Sequence, residues 1–174
     1  MKIHGTGAIV GLVVLFLGSM PISLQAGASG DEETLRVFIF AGQSNMVGSD
    51  SKVSDIKRFP PFVGLGNAQP KVRFAYSIGR ENKMTSDGWV DLQPVNNVVG
   101  PELSFARKVS EKISAPIAII KCAAGGTHLG GDWNPDEPIG FKMYPLALEL
   151  IRSSLAELDK QNIKYRIEGF MWHQ

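Results

Sequence analysis

Leu35-Arg36-Val37-Phe38-Ile39-Phe40-Ala41 runs without interruption into Gly42-Gln43-Ser44-Asn45-Met46. Val37, Phe38, Ile39 and Phe40 are β-branched or aromatic and show no polar alternation, which is the pattern of a strand covered on both faces. Gly42 supplies the backbone freedom for a sharp turn, so Ser44 is delivered to the carboxyl end of the strand instead of being buried in it. In an open parallel sheet that is the end at which ligands bind. Met46 stands where the second glycine of a G-x-S-x-G nucleophile elbow would be, so the turn is not of the lipase type. A serine hydrolase of a different lineage is expected.

Two more strand ends follow the same logic. Gly100-Pro101 opens a helix, with proline suited to the first helical position and Leu103, Ala106, Val109 and Ile113 at helical spacing. Pro116 marks its end, and Ile117, Ala118, Ile119 and Ile120 form a second wholly apolar strand. It leads into Cys122-Ala123-Ala124-Gly125-Gly126-Thr127. A second helix is expected over residues 144–158, with Tyr144, Ala147, Leu148, Ile151, Leu155 and Leu158 on its inner face, and a third strand over residues 165–172 runs to Gln174. Strand, helix, strand, helix, strand with short apolar strands predicts parallel pairing, so Ser44, Gly125 with Gly126, and Gln174 all fall at one edge of the sheet. Residues 48–97 read as irregular, punctuated by Pro60-Pro61, Gly64, Gly66, Pro70, Gly79, Gly88 and Pro94, with one strand-like piece over residues 72–78. A loop region of that length beside the serine is expected to shape the substrate site.

The pentad at residues 42–46, Gly100-Pro101-Glu102-Leu103-Ser104-Phe105-Ala106, the Gly-Gly-Thr loop at residues 125–127 and the final Trp172-His173-Gln174 resemble successive blocks of the SGNH hydrolases. The branch they resemble contains sialate O-acetylesterases and plant-type acetylxylan esterases, and the likeness runs from about Leu35 to Gln174. The resemblance implies a three-layer α/β fold with a parallel sheet of SGNH, or flavodoxin-like, type, and a serine esterase that removes O-acetyl groups from carbohydrates. It also implies that Ser44 is the nucleophile and that the oxyanion is received by the N–H of Ser44, by Gly125 or its neighbour Gly126, and by the side-chain amide of Gln174. Gln43, Asn45, Thr127 and Trp133 are the expected substrate-binding residues, Trp133 by stacking on a sugar face. The family's Asp-x-x-His segment follows the third strand, and its Gly-Glu follows the glutamine. The chain therefore reads as the N-terminal portion of such a domain, its C-terminal part missing and nearly inactive by itself.

The other chemistry-bearing residues read as structural. His128 lies in the glycine loop, and His173 is expected to point to the opposite side of its strand from Gln174, so neither is assigned as the base. Glu102 sits in a first helical turn, where the helix dipole favours a carboxylate. Cys122 reads as a small hydrophobe at the end of a buried strand, and Trp172 as core.

Composition narrows the class further. Lys2, the apolar run of residues 8–17 and Ala26-Gly27-Ala28 form a signal peptide over residues 1–28, leaving a domain over residues 29–174 in a secreted or periplasmic protein. Loss of Lys2 takes 18 basic residues to 17, against 17 acidic ones. That balance argues against a nucleic-acid or anionic-membrane partner and suits an acetylated carbohydrate, with no obligate protein partner expected. One cysteine excludes an intramolecular disulfide. There is no G-x-G-x-x-G or P-loop cradle and no zinc-ligand spacing, so no cofactor or metal is expected. A sugar-binding protein that has the crevice without the chemistry is the alternative.

Overall fold

The computed structural model describes residues 33–81 and 83–174. The predicted signal peptide lies outside them. Along the chain come β1 (Leu35–Gly42), the single turn α1 (Ser44–Val47), α2 (Val53–Ile56), a 3-10 turn (Pro60–Phe62), β2 (Gln69–Ile78), β3 (Met84–Thr85), β4 (Val90–Leu92), α3 (Pro101–Ser110), β5 (Ile117–Ala123), α4 (Met143–Lys160) and β6 (Tyr165–His173).

The sheet has the order β3-β2-β5-β1-β6, with β4 also on β2. β2, β5, β1 and β6 run parallel, while β3 and β4 are antiparallel to β2. The three strands read from the sequence therefore lie second-first-third, the order at the heart of a flavodoxin-like sheet. From β1 the chain first builds one side of the sheet, through β2 to β5, and then crosses back past β1 to β6 on the other side. The crevice between β1 and β6 is thus a topological switch point, where such sheets bind their ligands.

The reading of residues 48–97 as irregular is corrected. They contribute α2 and the 3-10 turn, and β2 is a ten-residue member of the parallel sheet with β3 and β4 folded back on it. Pro70 is accommodated at the second residue of β2, where a missing N–H is tolerated. The two- and three-residue β3 and β4 are too short to carry a readable period.

Both faces of the sheet are covered because alternate residues of β1 and β5 serve opposite layers. Phe38, Phe40, Ile117 and Ile119 pack with Leu103, Phe105 and Ala106 of α3. Leu35, Val37, Ala118 and Ile120 pack with Leu158 and the partly buried Leu150, Ile151 and Leu155 of α4. The Phe105 ring meets Phe38 and Phe40 edge-on, at centroid distances of 4.9 and 5.3 Å. Each such pair is worth about 0.5–1.5 kcal/mol beyond the area it buries. α4 begins one residue before its predicted start and ends two after its predicted end, and Tyr144 lies at its exposed side.

β6 is the edge. Among the described residues it pairs only with β1, and Ile167, Phe170 and Trp172 are exposed on it, which corrects the reading of Trp172 as core. An exposed apolar edge strand is a template for pairing with another chain. Residues 29–174 expressed alone are expected to self-associate with rising concentration in light scattering, and Phe170→Lys to reduce that association. A monodisperse monomer throughout would count against this role for β6.

Candidate active site

Three strand ends are tied together by their backbones before any side chain is considered. Gln43 N–H donates to the His173 carbonyl at 3.0 Å, and Ala124 N–H donates to the Gly42 carbonyl at 3.2 Å. Gly42 has φ +151°, and a Cβ there would run into the His173 carbonyl. Only glycine lets β1 end so close to β6. The turn after β1, the loop after β5 and the last residues after β6 are brought to one place.

Ser44 is the first residue of α1, and Gln43 is its cap. The Gln43 side-chain oxygen Oε1 accepts from the Ser44 N–H at 2.8 Å and from the Ser44 hydroxyl at 2.6 Å. The turn is closed by Val47 N–H on the Gln43 carbonyl at 2.9 Å and by Gly48 N–H on the Ser44 carbonyl at 3.0 Å, with Gly48 in the left-handed region at φ +85°. An acceptor oxygen therefore already occupies the Ser44 N–H. A substrate oxygen would reach that donor by displacing Gln43 Oε1.

The adjacent glycines after β5 face different neighbours. A Cβ at Gly125 would lie 3.6 Å from Ser44 Cβ, so this residue packs directly on the serine. A Cβ at Gly126, whose φ is +71°, would lie 3.2 Å from Arg80 Nη1. Of the two alternatives that the sequence left open, Gly125 is the one beside Ser44. On the third side, Gln174 Nε2 donates to the Thr127 carbonyl at 3.0 Å, and Asn45 Nδ2 donates to the Gln174 carbonyl at 3.1 Å. The Gln174 amide has a second N–H to offer.

Two of the expected substrate-binding residues turn inward. Trp133 is 6% exposed, its indole N–H donates to Thr127 Oγ1 at 3.0 Å, and its ring meets Trp172 edge-on at 4.8 Å. Thr127 is itself buried, with its hydroxyl donating to the Ala124 carbonyl at 2.9 Å. The expectation that Trp133 stacks on a sugar and that the Thr127 side chain meets substrate is therefore corrected. Both brace the glycine loop. Cys122 is buried in the same layer, and burial pushes its thiol up to about 12, which leaves no thiolate for chemistry at neutral pH.

Asp132 holds the far end of that loop. Its carboxylate accepts from the His128 N–H at 2.8 Å and from the Phe141 N–H at 2.7 Å. Burial acts to raise its pKa, but these backbone donors outweigh it and hold the carboxyl below the usual range. A folded pKa below the unfolded value near 3.9 gives stability that is present above that value and lost as pH falls through the folded one. Acid titration followed by tryptophan emission is expected to show the loop loosening below about pH 4, a step that Asp132→Ala removes. Identical acid profiles for the two proteins would contradict this.

Neither histidine meets the serine. Among the described residues, the Ser44 hydroxyl is bonded to Gln43, and no hydrogen bond joins it to His128 or His173. Two features near the site escaped sequence reading. Arg80 lies against Gly126 with its guanidinium 4.8 Å over the Phe141 ring. Glu102 forms a buried ion pair with Lys121 of β5 at 2.5 Å. A lysine inside an otherwise apolar strand, following a helix that opens with a glutamate, was the available signal.

A family model described as carbohydrate esterase, sialic acid-specific acetylesterase, matches residues 34–174. No curated protein matches the chain. The fold is similar to that in an X-ray structure of a protein from Arabidopsis thaliana, with a TM-score of 0.51 at 20% identity. The likeness covers 79% of this chain and 56% of that one, so the chain spans little more than half of that protein's length.

Proposed function

Because the chain belongs to the carbohydrate esterase family of sialic acid-specific acetylesterases, we propose that Ser44 is the nucleophile of an enzyme that removes O-acetyl groups from sugars. The observation that carries this reading is the gathering of Ser44, Gly125 and Gln174 at the adjacent carboxyl ends of β1, β5 and β6, with Gly125 against Ser44 and Gln174 bonded to the neighbours Asn45 and Thr127. The Ser44 oxygen attacks the acetyl carbonyl and its proton passes to a base. The carbonyl oxygen, now an oxyanion, takes the donors of the Ser44 N–H, the Gly125 backbone and the Gln174 amide. Collapse expels the sugar hydroxylate, which takes up a proton, and leaves acetyl-Ser44. Water then attacks that ester, releasing acetate and restoring the serine.

Gln43 and Asn45 shape the entrance in this scheme. Gln43 Oε1 holds the resting hydroxyl and yields its place to the substrate oxygen, while Asn45 fixes the backbone of Gln174. The Asp–His pair is not assigned among residues 33–174. The substrate is an acetylated glycan such as acetylated xylan or acetylated sialic acid, met after export.

The test is acetate release by the full-length gene product from acetylated xylan oligosaccharides and acetylated sialic acid. Gln174→Ala, which removes one oxyanion donor, is expected to lower kcat by about 10²- to 10³-fold with little change in KM. Tight binding of these sugars without turnover would instead favour a binding protein.

A further inference from the structure

Lys121 and Glu102 are each 1% exposed. Lys121 stands in the middle of the sheet, in register with Phe40 of β1 on one side and Tyr76 of β2 on the other. Its ammonium meets Glu102 Oε2 at 2.5 Å and reaches the Val47 carbonyl at 3.4 Å. Burial lowers the lysine pKa, and the facing carboxylate opposes that shift. Buried pairs of this kind seldom add net stability over an apolar pair of similar volume. Stability alone therefore does not explain why the sheet carries one here.

Its surroundings supply a reason. Val47 is the last residue of the turn whose first residue is Ser44. The next residue, Gly48, lies so close to the chain after β4 that a Cβ on it would stand 2.7 Å from the Val99 carbonyl oxygen and from Gly100 Cα. Gly100 in turn is roofed by the ion pair, and a Cβ there would strike both the Glu102 carboxylate and Lys121 Nζ. Two backbone hydrogen bonds stitch the same segments, from Ser51 to the Gly48 carbonyl and from Val99 to the Ser51 carbonyl, both at 2.8 Å. The serine turn thus rests on Gly100, and Gly100 rests under the pair.

We propose that the Glu102–Lys121 pair is a positioning device for Ser44, holding α1 by its last carbonyl so that the serine keeps its place against Gly125. The inference rests on the reading of Ser44 as nucleophile. Neither partner touches substrate, and both act through the backbone of α1.

The test is made on the full-length gene product with the double variant Lys121→Met/Glu102→Leu, which removes both charges and keeps apolar volume. Its melting temperature is expected to stay near that of the wild type, while kcat falls about 10- to 100-fold and KM changes by less than about twofold. Amide exchange at Val47, Gly48 and Ser49 is expected to rise about tenfold or more, with β1 and β5 unchanged. Should the double variant not fold, Glu102→Gln carries the same readouts with the same expected directions. Unchanged kcat with unchanged exchange in α1 would overturn the proposal. So would faster exchange spread over the whole sheet in step with a lower melting temperature. If the wild type deacetylates nothing, the nucleophile reading fails, and the exchange pattern still decides whether the pair holds α1.

Discussion

Ser44→Ala in the full-length gene product is expected to lower kcat for acetate release from acetylated sugars by about 10⁴- to 10⁶-fold, the scale on which serine hydrolases lose activity with their nucleophile. Among the described residues the hydroxyl hydrogen-bonds to Gln43 Oε1, and the Ser44 N–H keeps its own bond to the same oxygen. Alanine therefore leaves the cap and the turn in place and removes only the attacking atom. The melting temperature is expected to stay within a few degrees of the wild type, since losing one partly buried hydrogen bond costs about 1 kcal/mol. A large loss of turnover without a loss of stability separates a nucleophile from a structural serine. Retained turnover would remove Ser44 from the chemistry.

Gly42→Ala is expected to have the largest effect on stability. At φ +151° an L side chain is strained in any surroundings, and the new Cβ would run into the His173 carbonyl, which is backbone and cannot rotate away. Relief requires the ends of β1 and β6 to part, which breaks the Gln43 N–H bond to that same carbonyl and opens the crevice. Steric and backbone faults of this kind cost about 3–5 kcal/mol, a large part of the roughly 5–15 kcal/mol that holds a domain together. The expected result in urea denaturation is a midpoint far below that of the wild type, together with loss of turnover. An unchanged midpoint would show that the two strand ends do not meet as described.

The sequence carried the core of the fold because β1, β5 and the helix after β5 have strong, unambiguous periods. Val37 to Phe40 and Ile117 to Ile120 are apolar at every position, and both strands are buried on both faces. α4 repeats its apolar residues over 18 positions. β2 was half legible, since Val72, Phe74 and Ile78 are buried on it, but the glycines and prolines around it outweighed a single short strand pattern. β3 and β4 have only a few residues each, so partner strands and not local preference create them.

At the site, the positions of Ser44, Gly125 and Gln174 followed from strand ends alone, because parallel topology gathers those ends at one edge. Orientation did not follow. Trp133 turned into the loop because its indole N–H finds Thr127 Oγ1 there, a contact six residues apart that no period encodes. The Glu102–Lys121 pair was hidden for the same reason. Its partners lie on a helix and a strand 19 residues apart, and Glu102 alone looked satisfied by the helix dipole.

If Ser44 is the nucleophile, it is the residue that a serine-directed electrophile modifies. Reaction of the full-length gene product with a fluorophosphonate, followed by intact-mass measurement and peptide mapping, is expected to give a single adduct on the peptide that carries Ser44, with none in Ser44→Ala and parallel loss of acetate release. An adduct on a different residue, or an unmodified Ser44 in protein that has lost its activity to the reagent, would contradict that role for Ser44.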